Sequence, residues 1–413
     1  MLLIRVTVLL FIIFTLTAAL SNAQESTFYA SNGNHLIPGK IDLKQATPIK
    51  IKLSSYPTRV TGHYDGSHSV WYVLLNDSTV QKVVVEENGK VSVLKTNINL
   101  PSDTILSIDT GSNPRQLFAP ELYKNNFLTH PVRLIANNKI AAIDASGVFS
   151  IQDPDRIYRL NIEILKDSRI LQNEKGQILV LTGNSTKYKH GILGDKVEAD
   201  GFVIIDTVKK PVVRSQFALK GSNVFETLMP VWTDINLDNK REIILTKSDS
   251  RSGARLQIYT EDGKLISSSD PIGNGFRWMH LIAAAEFGPD GEIEIAAVRT
   301  PHIGGVLEYY RLKDGELRVV HKRAGYSTHR IGSRNLDTAV AGDFNDDGHV
   351  EMLVPTQDFK RLDSIKRTAG GSKIDHSIKL DHQLSTNLAA YSSRGKIELA
   401  FGTYNNELII IRQ

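Results

Sequence analysis

The stretch Asp343-Phe-Asn345-Asp-Asp347-Gly-His349-Val-Glu351 decides the fold, because versions of it return along the chain. Asp234-Ile-Asn236-Leu-Asp238-Asn-Lys-Arg-Glu242 precedes it, and Glu286-Phe-Gly288-Pro-Asp290-Gly-Glu-Ile-Glu294 lies between the two. Each copy opens on a carboxylate, has an Asp four residues on, then Gly or Asn, and a Glu eight residues on, and an apolar run follows. A pattern that returns about every 50 residues means stacked supersecondary units.

Around these copies the chain punctuates itself as short strands. Residues 281–287, 293–300, 306–312 and 317–321 are apolar or β-branched runs, separated by Gly288-Pro-Asp-Gly291, a Pro- and Gly-containing loop, and Lys313-Asp-Gly-Glu316. Such turn residues between alternating runs predict four antiparallel strands. The same grammar fits 228–268 and 60–94, and less clearly 105–151 and 157–219, the last with an insertion at 187–200. Downstream, 351–355, 359–365 and 377–380 are strands, and a final unit from Asn387 has only three: 388–391, 397–402 and 408–411.

Counting equivalents of the opening position gives seven units, near Thr61, Asp109, Asp167, Asp234, Glu286, Asp343 and Ala390. The last unit lacks an outer strand, and 49–53 is a strand without a place, so the N-terminal strand is expected to complete it. The expected fold is all-β, a β-propeller of seven four-stranded blades, since a closed ring removes sheet edges. An open array or a five- or six-bladed ring is the rival.

The N-terminus opens with one basic residue, Arg5, then an apolar run over 6–20 and small residues at Ser21 and Ala23. This is the layout of a secretory signal peptide over 1–23. The domain reading is then 24–47 as an extension or linker and 48–413 as one propeller. No other stretch is long and apolar enough to span a bilayer. An exported, periplasmic or secreted chain is expected, and its lack of cysteine excludes disulfides, thiolate metal sites and a Cys nucleophile. Lys and Arg number 49 against 45 Asp and Glu, too thin an excess to argue for nucleic acid.

The repeated loops supply oxygen ligands at alternate positions with Gly at the sharp turn, spacing that can wrap a Ca²⁺. The flanks of the Asp343 copy alternate and are β-branched, so the setting is strand–loop–strand rather than the helices of an EF-hand. The loops can equally be metal-free turns in which Asp and Asn side chains satisfy backbone N–H groups. In that setting the chain resembles the FG-GAP/VCBS repeat family, whose β-propellers include the ligand-binding head of integrin α chains. The resemblance is strong over Asp343 to Glu351, moderate over the other two copies and weak elsewhere. It implies structural Ca²⁺ held by Asp343, Asn345, Asp347, Glu351 and the His349 carbonyl. Asp234, Asn236, Asp238 and Glu242 match the same positions, whereas Gly288 and Pro289 remove a ligand from the middle copy.

In a propeller the loops after first strands share one face, and those leading into first strands share the other with the loops between second and third strands. Reading the second set gives Arg277, Trp278, Arg299, His302, His329 and Arg334 as a candidate ligand-binding face. Arg277 and Arg334 each lie nine residues before an acidic copy. Guanidinium forks match carboxylate or phosphate oxygens, so a protein or a glycan is the expected partner. The same Arg side chains could instead form interblade salt bridges.

No nucleophile elbow, His-Glu-x-x-His, phosphate loop or dinucleotide fingerprint is present. The expected role is a non-catalytic binding scaffold, with a polysaccharide lyase or hydrolase using His302 or His329 as the alternative.

Overall fold

In a computed structural model, residues 31–113, 115–118, 128–144 and 146–413 are described; the expected signal segment 1–23 lies outside them. The described residues form no helix, only strands, turns and loops. The fold is a β-propeller.

The fifth unit gives the pattern. Met279–Ala285, Glu294–Arg299, Val306–Lys313 and Glu316–Ala324 pair in sequence order as an antiparallel sheet. Its first strand is wholly buried, while its outermost strand alternates between buried and exposed positions. Inner strands packed on both faces read as continuous apolar runs, and a solvated outer strand does not. The outer hairpin closes through Asp314 and Gly315 at φ 51° and 77°, the conformation a two-residue primed turn needs.

Sheets of the same order follow from Pro57–Tyr64, Val132–Arg133, Leu171–Gln172, Val231–Thr233 and Val340–Asp343 as first strands, the one at Val231–Thr233 gaining a fifth strand because Val224–Phe225 also pairs with Glu242–Asp249. The last sheet combines Ala389–Ser393, Lys396–Thr403 and Glu407–Arg412 with the N-terminal strand Thr47–Lys52, which pairs antiparallel to Glu407–Arg412. Apolar clusters join each sheet to the next, and one unites the first sheet with the last through Ile51, Val60, Trp71, Tyr391 and Ile410. That contact closes the ring.

Two sequence expectations are corrected. Ile157–Leu160 does not open the third unit; it pairs with Phe149–Gln152 as the outer strand of the second. Asp109 and Asp167 do not hold the opening position either. Asp109 sits in a separate two-stranded pair and is drawn to Arg133, and Asp167 precedes its first strand, bound to Arg334. Arginine partners, which sequence spacing does not reveal, explain both.

The larger correction concerns 24–47, of which residues 31–47 are described. Residues 31–47 are part of the fold, not a linker. Gln172 N–H donates to the Ser31 carbonyl, Trp232 N–H to the Asn32 carbonyl and Ala341 N–H to the His35 carbonyl. Asn34 exchanges two hydrogen bonds with Ala284, and Leu36–Lys40 bridges the sixth and seventh units in parallel. Only a segment inside the ring can reach five successive units in turn. Residues 31–37 therefore lie in the central channel, residues 38–40 are exposed, and the chain leaves between the sixth and seventh units, where Ile41 N–H donates to the Asp343 carbonyl. Gly33, at φ 73°, has room for no side chain: a Cβ there would stand 2.0 Å from the Pro230 carbonyl oxygen.

Candidate functional site: the channel and its two faces

At the channel centre, Asp337 accepts from His35 Nε2 and from Arg169 Nη2, each at 2.9 Å. All three side chains are almost wholly buried. Burial opposes ionisation of Asp337, but Arg169 and His35 outweigh it and hold the carboxyl well below its usual range. The channel is thus filled and internally neutralised.

Over one mouth lies the insertion at 187–200. Its Ile192 and Leu193 are buried, the Ile192 carbonyl accepts from Gly332 N–H at 2.9 Å, and its Asp195 meets Arg334 Nη2 at 3.0 Å. Arg334 Nε also binds the buried Asp167 at 2.9 Å. Its fork is committed to two carboxylates across the ring, so this member of the expected ligand set is a structural salt bridge.

Trp278, His302 and His329 do come together, but as packed rings. Trp278 is buried, donates from Nε1 to the Glu226 carbonyl at 2.8 Å, and stacks on His280 and His302 at 5.2 and 5.9 Å between centroids. The edge of His329 meets it at 4.7 Å. His329 Nε2 faces the Ser333 carbonyl at 2.7 Å, so it carries the proton and leaves Nδ1 to accept from His302 Nε2 at 3.0 Å. Burial pushes His302 down to about 4, helped by His190, and His329 down to about 3. At neutral pH these rings are uncharged and cannot serve as anion-binding cations. The expectation of Trp278, His302 and His329 as open ligand contacts is corrected accordingly.

Arg299 is also engaged. It pairs with the buried Glu308 at 3.0 Å in a groove of about 920 Å³ between the outer strands of the fourth and fifth units, where Lys322 reaches the same oxygen at 3.2 Å. Arg277 alone of the six is exposed and has no ion-pair partner among the described residues.

Sequence reading missed His190 and Glu226, which meet at 2.5 Å with Ser248 donating to the other Glu226 oxygen at 2.6 Å. Phe276 stacks on His190 at 5.2 Å. The insertion was visible as an interruption, but nothing in its composition says which unit it crosses to.

On the opposite face the acidic loops share one hydrogen-bond scheme. Asp343 Oδ2 accepts from Gly348 N–H, Asn345 Oδ1 from Asp347 N–H, and Glu351 Oε2 from Phe344 N–H. Asp234, Asn236 and Glu242 repeat it with Asn239, Asp238 and Ile235. Asn239 replaces Gly at φ 64°, a left-handed conformation that Asn tolerates. The middle copy departs: Glu294 is buried and turned to Arg311 and Arg367. At the Asp343 loop the Lys366 ammonium contacts Asp347 and stands 3.8 Å from Glu351, whose carboxyl burial pushes up to about 8. Among the described residues no three His, Asp or Glu side chains converge closely enough to hold a metal.

No family model matches this chain, and no curated protein matches it. Among solved structures it is similar to the WD40 β-propeller domain of Doa1, at 10% identity and TM-score 0.42, covering 88% of this chain and 96% of that one. It is also similar to BBS1N, solved in complex with ARL6DN, at 12% identity and TM-score 0.47, covering 91% and 97%. Raptor of Chaetomium thermophilum follows at 11% identity and TM-score 0.46, covering 92% of this chain and 29% of that one.

Proposed function

We propose that this chain is an exported, non-catalytic scaffold that docks a protein on the insertion-bearing face. One observation carries the reading: this face exposes Phe276, Ile303 and Ile331 at 47%, 65% and 71%, beside the uncommitted Arg277. Large apolar side chains projecting from neighbouring loops, next to an Arg, have the composition of an interface anchor. The filled channel and the burial of His329, whose two ring nitrogens are both engaged, weigh against catalysis at the mouth. Export rests on the leader-like residues 1–23, and kinship with FG-GAP/VCBS repeats rests on the two loops that share one hydrogen-bond scheme.

A structural Ca²⁺ belongs to the same proposal. Glu351 Oε1 is buried without a hydrogen bond, an orphan that a cation would satisfy. Asp343, Asn345, Asp347, Glu351 and the His349 carbonyl would hold the ion in place of the Lys366 ammonium, and Asp234, Asn236, Asp238 and Glu242 would hold a second. The ion would brace the loop and supply no chemistry.

The test is a crosslinking pull-down with the secreted protein and its Ile303→Asp, Ile331→Asp double variant. Partners retained by the parent should be lost by the variant at unchanged melting temperature. Equal retention by both sinks the docking reading.

A further inference from the structure

On the same face, the loops of the first, sixth and seventh units enclose a cavity of about 350 Å³ that the apolar rim does not account for. This lies at the lower end of the size range of small-molecule sites. Arg330 lines it. Its guanidinium lies 4.1 Å from the centre of the Phe359 ring and 5.6 Å from that of Tyr404, and Nη2 donates to the Leu384 carbonyl at 3.1 Å. No carboxylate among the described residues pairs with it, so most of its five N–H donors remain for a ligand.

The ring beneath Arg330 is held at a cost. Phe359 has φ 57°, a left-handed conformation that a bulky side chain rarely adopts, and two backbone hydrogen bonds fix it there, to Thr356 and from Leu384. Strain of this kind concentrates at ligand clamps. Across the cavity, Tyr56 packs on Tyr404 at 5.2 Å, and its hydroxyl donates to Asn76 Oδ1 at 2.5 Å. Thr58 and Ser385 add hydroxyls to the lining.

We propose that this cavity binds a single uronate, the carboxylate form of a sugar. Arg330 takes the carboxylate with its planar fork. The Tyr56–Tyr404 pair offers an apolar face to the C–H side of the ring, and Asn76 with the lining hydroxyls meets the sugar hydroxyls. This site rests on Arg330 rather than on the docking anchors: of those, Ile331 lines it, and Phe276, Ile303 and Arg277 do not.

Isothermal titration of the full chain with glucuronate, its neutral methyl ester and an N-acetyl dipeptide with a free carboxylate tests it. Glucuronate should bind, and the ester at least tenfold more weakly. Arg330→Lys, which keeps the charge but loses the fork, should weaken glucuronate at least tenfold. Asn76→Asp keeps the acceptor for Tyr56 and adds a repelling charge, so it should weaken binding similarly without a change in melting temperature. Equal binding of acid and ester, a dipeptide that binds where glucuronate does not, or no glucuronate binding at millimolar concentration each overturns the proposal.

Discussion

His35 and Asp337, which come from opposite ends of the chain, meet at 2.9 Å inside the ring, with Arg169 completing the buried group. Replacing Asp337 with Asn would remove the carboxylate charge that faces the buried Arg169 guanidinium. Breaking a buried pair from one side costs about 3–5 kcal/mol. Urea unfolding of Asp337→Asn should show a loss of that size.

Gly33→Ala tests whether the axial segment is seated as described. The added methyl meets the Pro230 carbonyl in a left-handed backbone conformation. Amide exchange should accelerate at Gln172, Trp232 and Ala341, whose N–H groups bond to residues 31, 32 and 35. Unchanged protection at all three would count against the axial placement.

Arg334→Ala should lower stability as well as alter the insertion. It leaves Asp167 buried beside Asp195, a loss on the order of 3 kcal/mol. The melting temperature reads this directly, and a variant that melts like the parent would return Arg334 to the ligand-binding set.

Stability should pass through a maximum in mildly acidic solution. Glu198 is buried and pushed up to about 10, first by burial and then by Glu226, Asp167 and Asp195. A raised carboxyl contributes stability that is full below the unfolded value near 4.5 and is lost as pH climbs toward 10. His302 and His329 act on the other side. Their depressed values favour the fold above about 6.5, and that contribution is lost as pH falls toward 4 and 3. Glu198→Gln should raise the melting temperature at pH 8, with a gain that shrinks to nothing near pH 4.5.

Calcium should raise the melting temperature of the parent, and EGTA should lower it. Lys366→Met removes the competing ammonium and should steepen the Ca²⁺ dependence. No shift in either protein at millimolar Ca²⁺ would remove the metal from the proposal.

The fifth unit was legible almost strand for strand, because Gly288-Pro-Asp-Gly291 and Lys313-Asp-Gly-Glu316 mark its turns locally. The second and third units were not, since their first strands, Val132–Arg133 and Leu171–Gln172, are too short to show a period. Completion of the last sheet by the N-terminal strand followed from a missing strand and a spare one. The path of residues 31–40 inside the ring did not, because Asn32-Gly-Asn-His35 reads as a loop and most of its bonds go to residues far along the chain. At the mouth, Arg334 was readable as either a ligand group or a salt bridge. Only the position of Asp167 and Asp195 decides between them.

The pairing of Thr47–Lys52 with Glu407–Arg412 sets an order of events for folding. Each middle sheet can form from neighbouring segments, but the closing sheet must bring together strands separated by nearly the whole described chain. Contacts of that sequence separation form slowly. Ring closure is therefore the expected late step. A chain halted before closure would expose the apolar flanks of its first and seventh sheets together, the surfaces that Ile51, Val60, Trp71 and Tyr391 bury in the closed ring.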